Sequence, residues 1–471
     1  MPLFFYGCNN GTGEKQPDPN IVLILVDDMG YGDLGSYNPN SKIPTPNIDH
    51  LADEGMRFTD AHSAGALCHP ARYGLLTGRY PFRTDVNSWP HQSVIEEERM
   101  TIASLLKQQG YHTAMVGKWH LGFDEDTSAT NRYDQLLPGG PLDRGFDQFF
   151  GIRASTDIPP YFYIQGNKAI ESPTSHIQAN NTPGWSPIQG KFWREGDIAP
   201  GLKLKDVLPR FTDEAIKVIN THLEDTQNPP LMLYLALPAP HTPWLPTEKY
   251  EDQSGAGLYG DFTVMVDAMV GKVLEALDEN HMRDNTLVML TSDNGPVWYE
   301  ENVEKFGHDS AGGLRGMKGD AWEAGHRMPF IVRWPGKVKA GAVSDELINF
   351  TDVMSTLADI VNVKLPENAG EDSYSFLPVL EGDQHERPPM VIPSLAARDS
   401  DLKTIRSGKW KLITGRGSGG FSDPRSLPPE TGPAGQLYNL NQDPGETVNR
   451  YGNHPDVVDS LTRKLQQIQA E

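Results

Sequence analysis

Residues 21–28 read IVLILVDD, six apolar residues followed directly by two aspartates. An unbroken apolar run of this length is typical of a strand that is covered on both faces, as in a parallel α/β sheet. Three further runs have the same form and also end at polar residues: HTAMVG (112–117), LMLYLALPAP (231–240) and TLVMLTS (286–292). In such sheets ligands bind at the carboxyl ends of the strands. We therefore expect the polar residues behind these four runs to meet along one edge of a sheet.

The residues behind the four runs have the chemistry of a metal and anion site. They are Asp27, Asp28, Lys118, His120, His241, Asp293 and Asn294. Hard cations such as Ca²⁺ bind carboxylate and amide oxygens, and crowded carboxylates repel each other unless a cation neutralises them. The aspartates and the asparagine therefore predict a divalent metal, either Ca²⁺ or Mg²⁺. The alternative is a set of independent strand-end caps on the surface.

Segments with apolar residues at helical spacing lie between the runs. One starts at Pro46 and stops before Gly55, and others cover 99–109, 262–277 and 351–361. Strands that alternate with helices favour an α/β fold around a mostly parallel sheet.

The pattern changes after Pro366. Residues 404–413 (TIRSGKWKLI) alternate like one antiparallel strand, and residues 455–470 are helical in pattern. We therefore predict three parts. Residues 1–19 are an N-terminal export or lipoprotein-like segment with a linker, residues 20–366 a catalytic domain, and residues 367–471 a small C-terminal α+β subdomain.

The charge balance limits the partners of this chain. It carries 41 basic and 63 acidic residues, a formal net charge of −22. Nucleic acid and anionic membrane surfaces are therefore disfavoured as partners. A polyanionic substrate would need a local cationic pocket, or a salty habitat that screens the repulsion.

The two cysteines cannot form a disulfide framework, although a single Cys8–Cys68 bridge is possible. The start, MPLFFYGCNN, resembles the end of a bacterial lipoprotein signal with Cys8 as the lipidated residue. Its short apolar stretch and the lack of basic residues count against this interpretation. No segment reaches the length of a membrane span. We expect a periplasmic or extracellular protein, either free or on a single lipid anchor.

The segment Cys68-His69-Pro70-Ala71-Arg72 continues as YGLLTGR to residue 79. A lone cysteine is by default a small buried core residue. Here it lies just before a proline that can start a helix, and a helix amino terminus favours a bound anion. The pattern resembles the active-site signature of the type I, formylglycine-dependent sulfatases, arylsulfatase-like members of the alkaline phosphatase superfamily. The family motifs DDxGxGD, GKWHLG and DNG are also present, beginning at Asp27, Gly117 and Asp293.

The resemblance implies a large mixed, mostly parallel central sheet flanked by helices, with a small C-terminal α+β subdomain. It also implies a sulfuric ester hydrolase whose Cys68 is oxidised to formylglycine (3-oxoalanine) by a maturation enzyme. One hydroxyl of the aldehyde hydrate attacks sulfur. The other, once deprotonated, expels sulfate and regenerates the aldehyde.

Site residues follow from the same resemblance. Catalytic roles fall on Cys68, Arg72, His120 and His241, and substrate contacts on Lys118, Lys318 and, through GIRAS, Ser155. Arg72 and His120 would hydrogen-bond the hydrate, while the two lysines would hold sulfate oxygens. His241 would protonate the leaving oxygen as a general acid. One calcium ion would be bound by Asp27, Asp28, Cys68, Asp293 and Asn294.

We therefore predict a calcium-dependent sulfatase that acts on a sulfated carbohydrate. One alternative is a phosphate monoester or diester hydrolase of the same superfamily. A second alternative is a non-catalytic binder of sulfated glycans, which we expect if Cys68 is not modified.

Overall fold

The computed structural model describes residues 18–128, 132–186, 188–224, 227, 229–384, 386–394, 402–428 and 432–471. Within these ranges the strands, in chain order, are β1 (Asn20–Asp27), β2 (Met56–Phe58), β3 (Ala61–His62), β4 (His112–Lys118), β5 (Gln148–Ile152), β6 (Ile164–Gln165), β7 (Lys168–Ala169), β8 (Ser175–Ile177), β9 (Gly196–Ile198), β10 (Leu231–Pro240), β11 (Thr286–Ser292), β12 (Phe330–Arg333), β13 (Ala342–Ser344), β14 (Ile348–Asn349), β15 (Met390–Pro393), β16 (Lys403–Ser407), β17 (Trp410–Ile413) and β18 (Gln436–Asn439).

The α-helices of the described ranges alternate with these strands. They are α1 (Pro46–Asp53), α2 (Cys68–Thr77), α3 (Ile102–Gln108), α4 (Val207–His222), α5 (Gly257–Glu279), α6 (Glu300–Phe306), α7 (Glu323–His326), α8 (Asp352–Ile360), α9 (Leu377–Leu380) and α10 (Pro455–Ala470).

The central sheet is mixed and mostly parallel, as predicted. Its described strands lie in the order β13-β2-β12-β11-β1-β10-β4-β5-β6-β7. The block β11-β1-β10-β4-β5 is parallel throughout, and antiparallel pairs join β12 and β6 to its two sides. The four apolar runs of the sequence are four adjacent strands of this block. Their carboxyl ends therefore lie side by side, which confirms the predicted sheet edge.

Both faces of the central strands are covered. Every residue of β1 from 20 to 27 is buried, and β10 and β11 are buried along their whole lengths. Helices α1, α4 and α5 pack together, and α2 and α3 pack on α8. This coverage explains why the strands read as unbroken apolar runs and do not alternate.

Two predicted element boundaries differ from the structure. Helix α2 begins at Cys68 itself, two residues before Pro70, and it ends before Gly78, which has a φ of +65°. The segment 404–413 is not one strand but parts of the antiparallel pair β16 and β17. The strands are joined through Gly408, whose φ of +52° allows the chain to reverse there.

A second sheet lies in the C-terminal part of the chain. Strands β15, β16, β17 and β18 form it in that order, and all its pairs are antiparallel. Helix α10 packs on β16 and β17 through Leu461 and Leu465, which share an apolar cluster with Ile405 and Leu412. This sheet with its helix matches the predicted small α+β subdomain.

In the described part of the chain, no helix is both long enough and apolar enough to cross a bilayer. The proposed lipidation residue, Cys8, lies outside the described residues.

Candidate active site

The functional side chains meet at the carboxyl edge of the central sheet. Asp27 ends β1 and Lys118 ends β4, while His241 follows β10 and Asp293 follows β11. Cys68 is the first residue of α2, and its Sγ lies 3.5 Å from Oδ1 of Asp27. Residues that are far apart in the sequence thus share one buried cluster, as their positions at strand ends predict.

The residues that follow β1 and β11 are hydrogen-bonded to each other. The backbone N–H of Asp28 donates to Oδ1 of Asp293 at 3.2 Å, and Nδ2 of Asn294 donates to Oδ1 of Asp28 at 2.6 Å. Asp28 has a φ of +62°, in the left-handed region that non-glycine residues seldom adopt. This conformation turns the chain directly behind β1. Both aspartates of the pair therefore lie in the cluster.

Three buried cations accompany the three carboxylates. Lys118 pairs with Asp27, and Nζ of Lys318 lies 2.6 Å from Oδ1 of Asp28. Arg72 donates to one oxygen of Asp293 through Nε at 3.1 Å and Nη2 at 2.8 Å. Buried charges are tolerated only when such partners offset the loss of hydration.

Cys68 is surrounded by charged groups. Its Sγ accepts from Nζ of Lys318 at 3.2 Å and faces Asp27, so it is not an ordinary apolar core residue. Burial raises the pKa of the Cys68 thiol, and nearby Lys118 and Lys318 only partly oppose this. The thiol is therefore neutral near pH 7, and an unmodified Cys68 is a poor nucleophile.

The pKa values of two neighbouring carboxylates, Asp27 and Asp293, are shifted in opposite directions. Burial alone would raise the pKa of Asp27, but Lys118, His241 and Arg72 lower it below its usual range. Burial, together with the charge of Asp27, raises the pKa of Asp293. A divalent cation among these groups would favour the ionised form of both acids.

Two histidines border the cluster. His120 is 5% exposed, and its Nδ1 makes no hydrogen bond to any described residue. Burial, with the nearby charge of Lys118, lowers the pKa of His120 well below its usual value, so this ring is neutral. Nδ1 of His241 lies 2.6 Å from the carbonyl oxygen of Thr242, while its Nε2 is 3.7 Å from Oδ2 of Asp28.

The donor set fits a hard divalent cation. Asp27, Asp28, Cys68 and His241 each offer a ligand atom, and these atoms all lie within 4.8 Å of one another. Oδ1 of Asn294, next to them, is buried and has no partner among the described residues. Such an amide oxygen costs free energy unless a ligand binds it. Asp27, Asp28 and Asn294, which the sequence predicts as ligands, could therefore hold such an ion. Asp293 lies beside them and faces Arg72.

Ser155 also lies at this edge, three residues after the end of β5. It is 2% exposed, and its Oγ is buried without a hydrogen bond to the described residues. Asp33, the last residue of the DDxGxGD motif, is instead bound by Tyr259 and by Nε2 of His308 at 2.8 Å. It therefore holds the loop behind β1 and is not part of the cluster.

Sequence reasoning missed an aromatic group beside Cys68. The ring of His69 stacks on Trp89 with centroids 5.7 Å apart, and Trp89 lies 4.6 Å from the ring of His120. Burial, with Lys118 and Lys318, lowers the pKa of His69 to about 3. Trp89 belongs to no motif, so the sequence carries no signal for this contact.

Sequence reasoning also missed Asp157, two residues beyond Ser155. It is 3% exposed and pairs with Arg194. Its Oδ1 lies 3.9 Å from Nδ1 of His241. Only its short distance from GIRAS in the sequence could have indicated it.

The fold has a cluster of buried acids, cations and a cysteine at the carboxyl edge of its central sheet. Together they define a hydrolase of anionic esters. The chain belongs to the sulfatase family, because the family model Sulfatase matches residues 19–363. It is accordingly a sulfuric ester hydrolase. It is 32% identical to an N-acetylgalactosamine-6-O-sulfatase of Bacteroides thetaiotaomicron over 98% of this chain and 96% of that protein. It is also 32% identical to human arylsulfatase A, over 96% of this chain and 87% of that protein.

A solved structure of a sulfatase from glycosaminoglycan metabolism in Bacteroides thetaiotaomicron has the same fold. It superimposes with a TM-score of 0.82 at 31% identity, and the alignment covers 97% of this chain and all of that one. The predicted family and fold class are therefore confirmed.

Proposed function

We propose that this sulfatase hydrolyses sulfate monoesters of a sulfated carbohydrate, with Cys68 converted to formylglycine and one calcium ion at the acidic cluster. The position of Cys68 carries the proposal. Its sulfur is within 3.5 Å of both Asp27 and Lys318, in the buried cluster of acids, cations and an amide at the carboxyl ends of the central strands. The substrate class is supported by the related N-acetylgalactosamine-6-O-sulfatase.

Formylglycine would supply a hydrated aldehyde as nucleophile, and calcium would supply positive charge that stabilises oxygen anions. Lys118 and Lys318 would bind sulfate oxygens. Arg72, fixed by its two bonds to Asp293, keeps Nη1 on the carbonyl oxygen of Lys118 at 2.8 Å and so orients that residue. His241 would donate a proton from Nε2 to the departing sugar oxygen.

The charge balance of the site supports an anionic substrate. Three cations and three carboxylates cancel each other in the described cluster. A divalent cation held by the carboxylates would leave Lys118 and Lys318 free to bind sulfate. The cluster can therefore be cationic although the whole chain carries a net charge of −22.

A mass measurement on the peptide that contains Cys68 tests the modification. The protein is purified from its native host or co-expressed with a formylglycine-generating enzyme. The peptide should be about 18 Da lighter than the cysteine form, as the replacement of a thiol by an aldehyde oxygen requires. An unmodified peptide in fully active protein would overturn the proposal.

Parallel assays on 4-nitrophenyl sulfate and 4-nitrophenyl phosphate test the reaction. We expect turnover of the sulfate ester to exceed that of the phosphate ester. Faster phosphate hydrolysis would instead favour the phosphatase alternative. Release of sulfate from defined sulfated oligosaccharides then tests the substrate class.

We also propose that the protein acts outside the cytoplasm, with Cys8 as a lipidated residue. This proposal is supported only by the sequence MPLFFYGCNN. Fractionation of host cells, with Cys8→Ser as the control, tests it. The variant should leave the membrane fraction if Cys8 carries the anchor.

A further inference from the structure

One carboxylate beside His241 has an oxygen that nothing in the described chain satisfies. Asp157 is 3% exposed, and its Oδ2 pairs with Arg194. Its Oδ1 is buried and accepts no hydrogen bond from the described residues. Within the described chain, Nδ1 of His241 lies 3.9 Å from that oxygen.

His241 does not satisfy this oxygen. The separation of 3.9 Å is too long for a hydrogen bond, and Nδ1 of His241 is already 2.6 Å from the carbonyl oxygen of Thr242. An unsatisfied buried carboxylate oxygen is costly to keep. Oγ of Ser155, in the same turn, is buried and unsatisfied as well. Two such atoms in one turn at the active site indicate a polar ligand group.

The position of Asp157 identifies which part of a substrate it meets. The sulfate group would lie at Cys68, Lys118 and Lys318. The leaving oxygen would lie at His241. Side chains that border His241 on the side away from the sulfate, such as Asp157, would therefore face the alcohol part of the ester. Asp157 is an anion, and it would repel sulfate but accept a hydrogen bond from a hydroxyl group.

We propose that Asp157 is a specificity residue that accepts a hydrogen bond from a free sugar hydroxyl close to the sulfated position. The inference rests on the proposed function, and it narrows the substrate to sugar residues that are not sulfated at that hydroxyl. A second sulfate there would bring another anion against Oδ1 of Asp157, while Arg194 is engaged on the other oxygen of that carboxylate. The carboxylate thus selects for a hydroxyl and against a neighbouring sulfate.

Arg194 offers a way to separate this role from a structural one. It is 48% exposed at its side chain, lies over the ring of Phe192 at 5.2 Å, and holds Oδ2 of Asp157. If Asp157 only anchored this loop, then Arg194→Ala would reproduce the effects of Asp157→Ala. If Asp157 binds substrate, then Arg194→Ala keeps the carboxylate and most of the specificity.

The test uses the mature, formylglycine-bearing protein and two sets of esters. The first set is a monosulfated hexoside with each free hydroxyl replaced in turn by hydrogen. The second is 4-nitrophenyl sulfate, which has no sugar hydroxyl. Asp197→Asn, an exposed carboxylate on β9, is the matched control.

For one hydroxyl position, the wild type should lose roughly ten- to hundredfold in kcat/KM when that hydroxyl is absent. With the intact sugar, kcat/KM of Asp157→Ala should be lower than that of the wild type by the same factor. With the deoxy sugar, kcat/KM of the variant should fall no further. Its loss on the intact sugar should exceed any loss of 4-nitrophenyl sulfate turnover by at least about tenfold. Asp197→Asn and Arg194→Ala should follow the wild type.

Equal losses of Asp157→Ala on sugar and nitrophenyl esters would overturn the inference, as would a wild type that is indifferent to every deoxy sugar. The deoxy series is measured on the wild type. It can therefore overturn the inference even if Asp157→Ala fails to fold. A wild type that hydrolyses no sulfate ester at all would instead contradict the proposed function.

Discussion

At the residue scale, the surroundings of Cys68 give the most direct prediction. Its sulfur lies 3.2 Å from Nζ of Lys318, so the position can serve as a nucleophile once modified. Cys68→Ala should lower sulfate ester hydrolysis by at least about a thousandfold, because the covalent step is lost. The thermal midpoint Tm should change little, since the side chain is small. Cys8→Ala is the matched control and should keep full turnover. An active Cys68→Ala variant would contradict covalent catalysis by this residue.

Asn294 gives a second prediction at the residue scale. Its buried Oδ1 lacks a partner among the described atoms, which a bound calcium ion would supply. Calcium should therefore raise Tm of the wild type in a concentration-dependent way, and a chelator should reverse the effect. Asn294→Ala should shift this calcium response to concentrations at least about tenfold higher. The exposed Asn453→Ala serves as control. Identical calcium titrations for Asn294→Ala and wild type would rule out Asn294 as a ligand.

At the element scale, the strands that carry the site could be predicted from sequence because they are buried on both faces. Each of the four runs is therefore mostly apolar, and it stops where the functional residues begin. The turn within 404–413 could not be predicted, because polar and apolar residues alternate both before and after Gly408. The two strands β16 and β17 therefore look like one strand in the sequence. Asp157 and Trp89 were missed for a different reason. Their position beside the site depends on tertiary packing of loops, which neither periodicity nor a motif records.

Helix α1 depends on a carboxylate from another element, and this gives a pH prediction. Asp267, in α5, accepts from the backbone N–H of Ile48 at 2.8 Å and from Asn47. Burial raises the pKa of Asp267 to about 6 from an ordinary value of 3.8. The folded state therefore binds the proton more tightly than the unfolded state. This contribution to stability is fully present below about pH 4 and is lost as the pH rises through 6, by up to about 3 kcal/mol.

Asp267→Asn removes this titration. Between pH 4 and pH 7, Tm of the wild type should fall relative to Tm of the variant, even if the weakened cap lowers the variant at every pH. Differential scanning calorimetry at several pH values measures the difference. Asp278→Asn, an exposed position on the same helix, should track the wild type. A constant difference between wild type and Asp267→Asn would show that Asp267 does not titrate in this range.

At the scale of the whole molecule, a buried ion cluster joins the C-terminal sheet to the segment behind Lys318. Nζ of Lys411, on β17, lies 2.9 Å from Glu323 of α7 and 2.8 Å from Glu446. The same segment is bonded to the C-terminal part again where Ala321 N–H donates to the carbonyl oxygen of Ser418 at 2.7 Å. The second sheet therefore helps to fix the loop that carries Lys318 to the active site.

Lys411→Met tests this connection between the two sheets. The change leaves two buried carboxylates without their shared cation, which should destabilise the protein by about 3–5 kcal/mol and lower Tm. Because the segment behind Lys318 loses an anchor, we expect KM for sulfate esters to rise more than kcat falls. Lys409→Met, two residues earlier and exposed, is the matched control and should leave Tm and KM unchanged. If Lys411→Met lowers Tm but leaves KM as in the wild type, the ion cluster stabilises the C-terminal sheet without positioning Lys318.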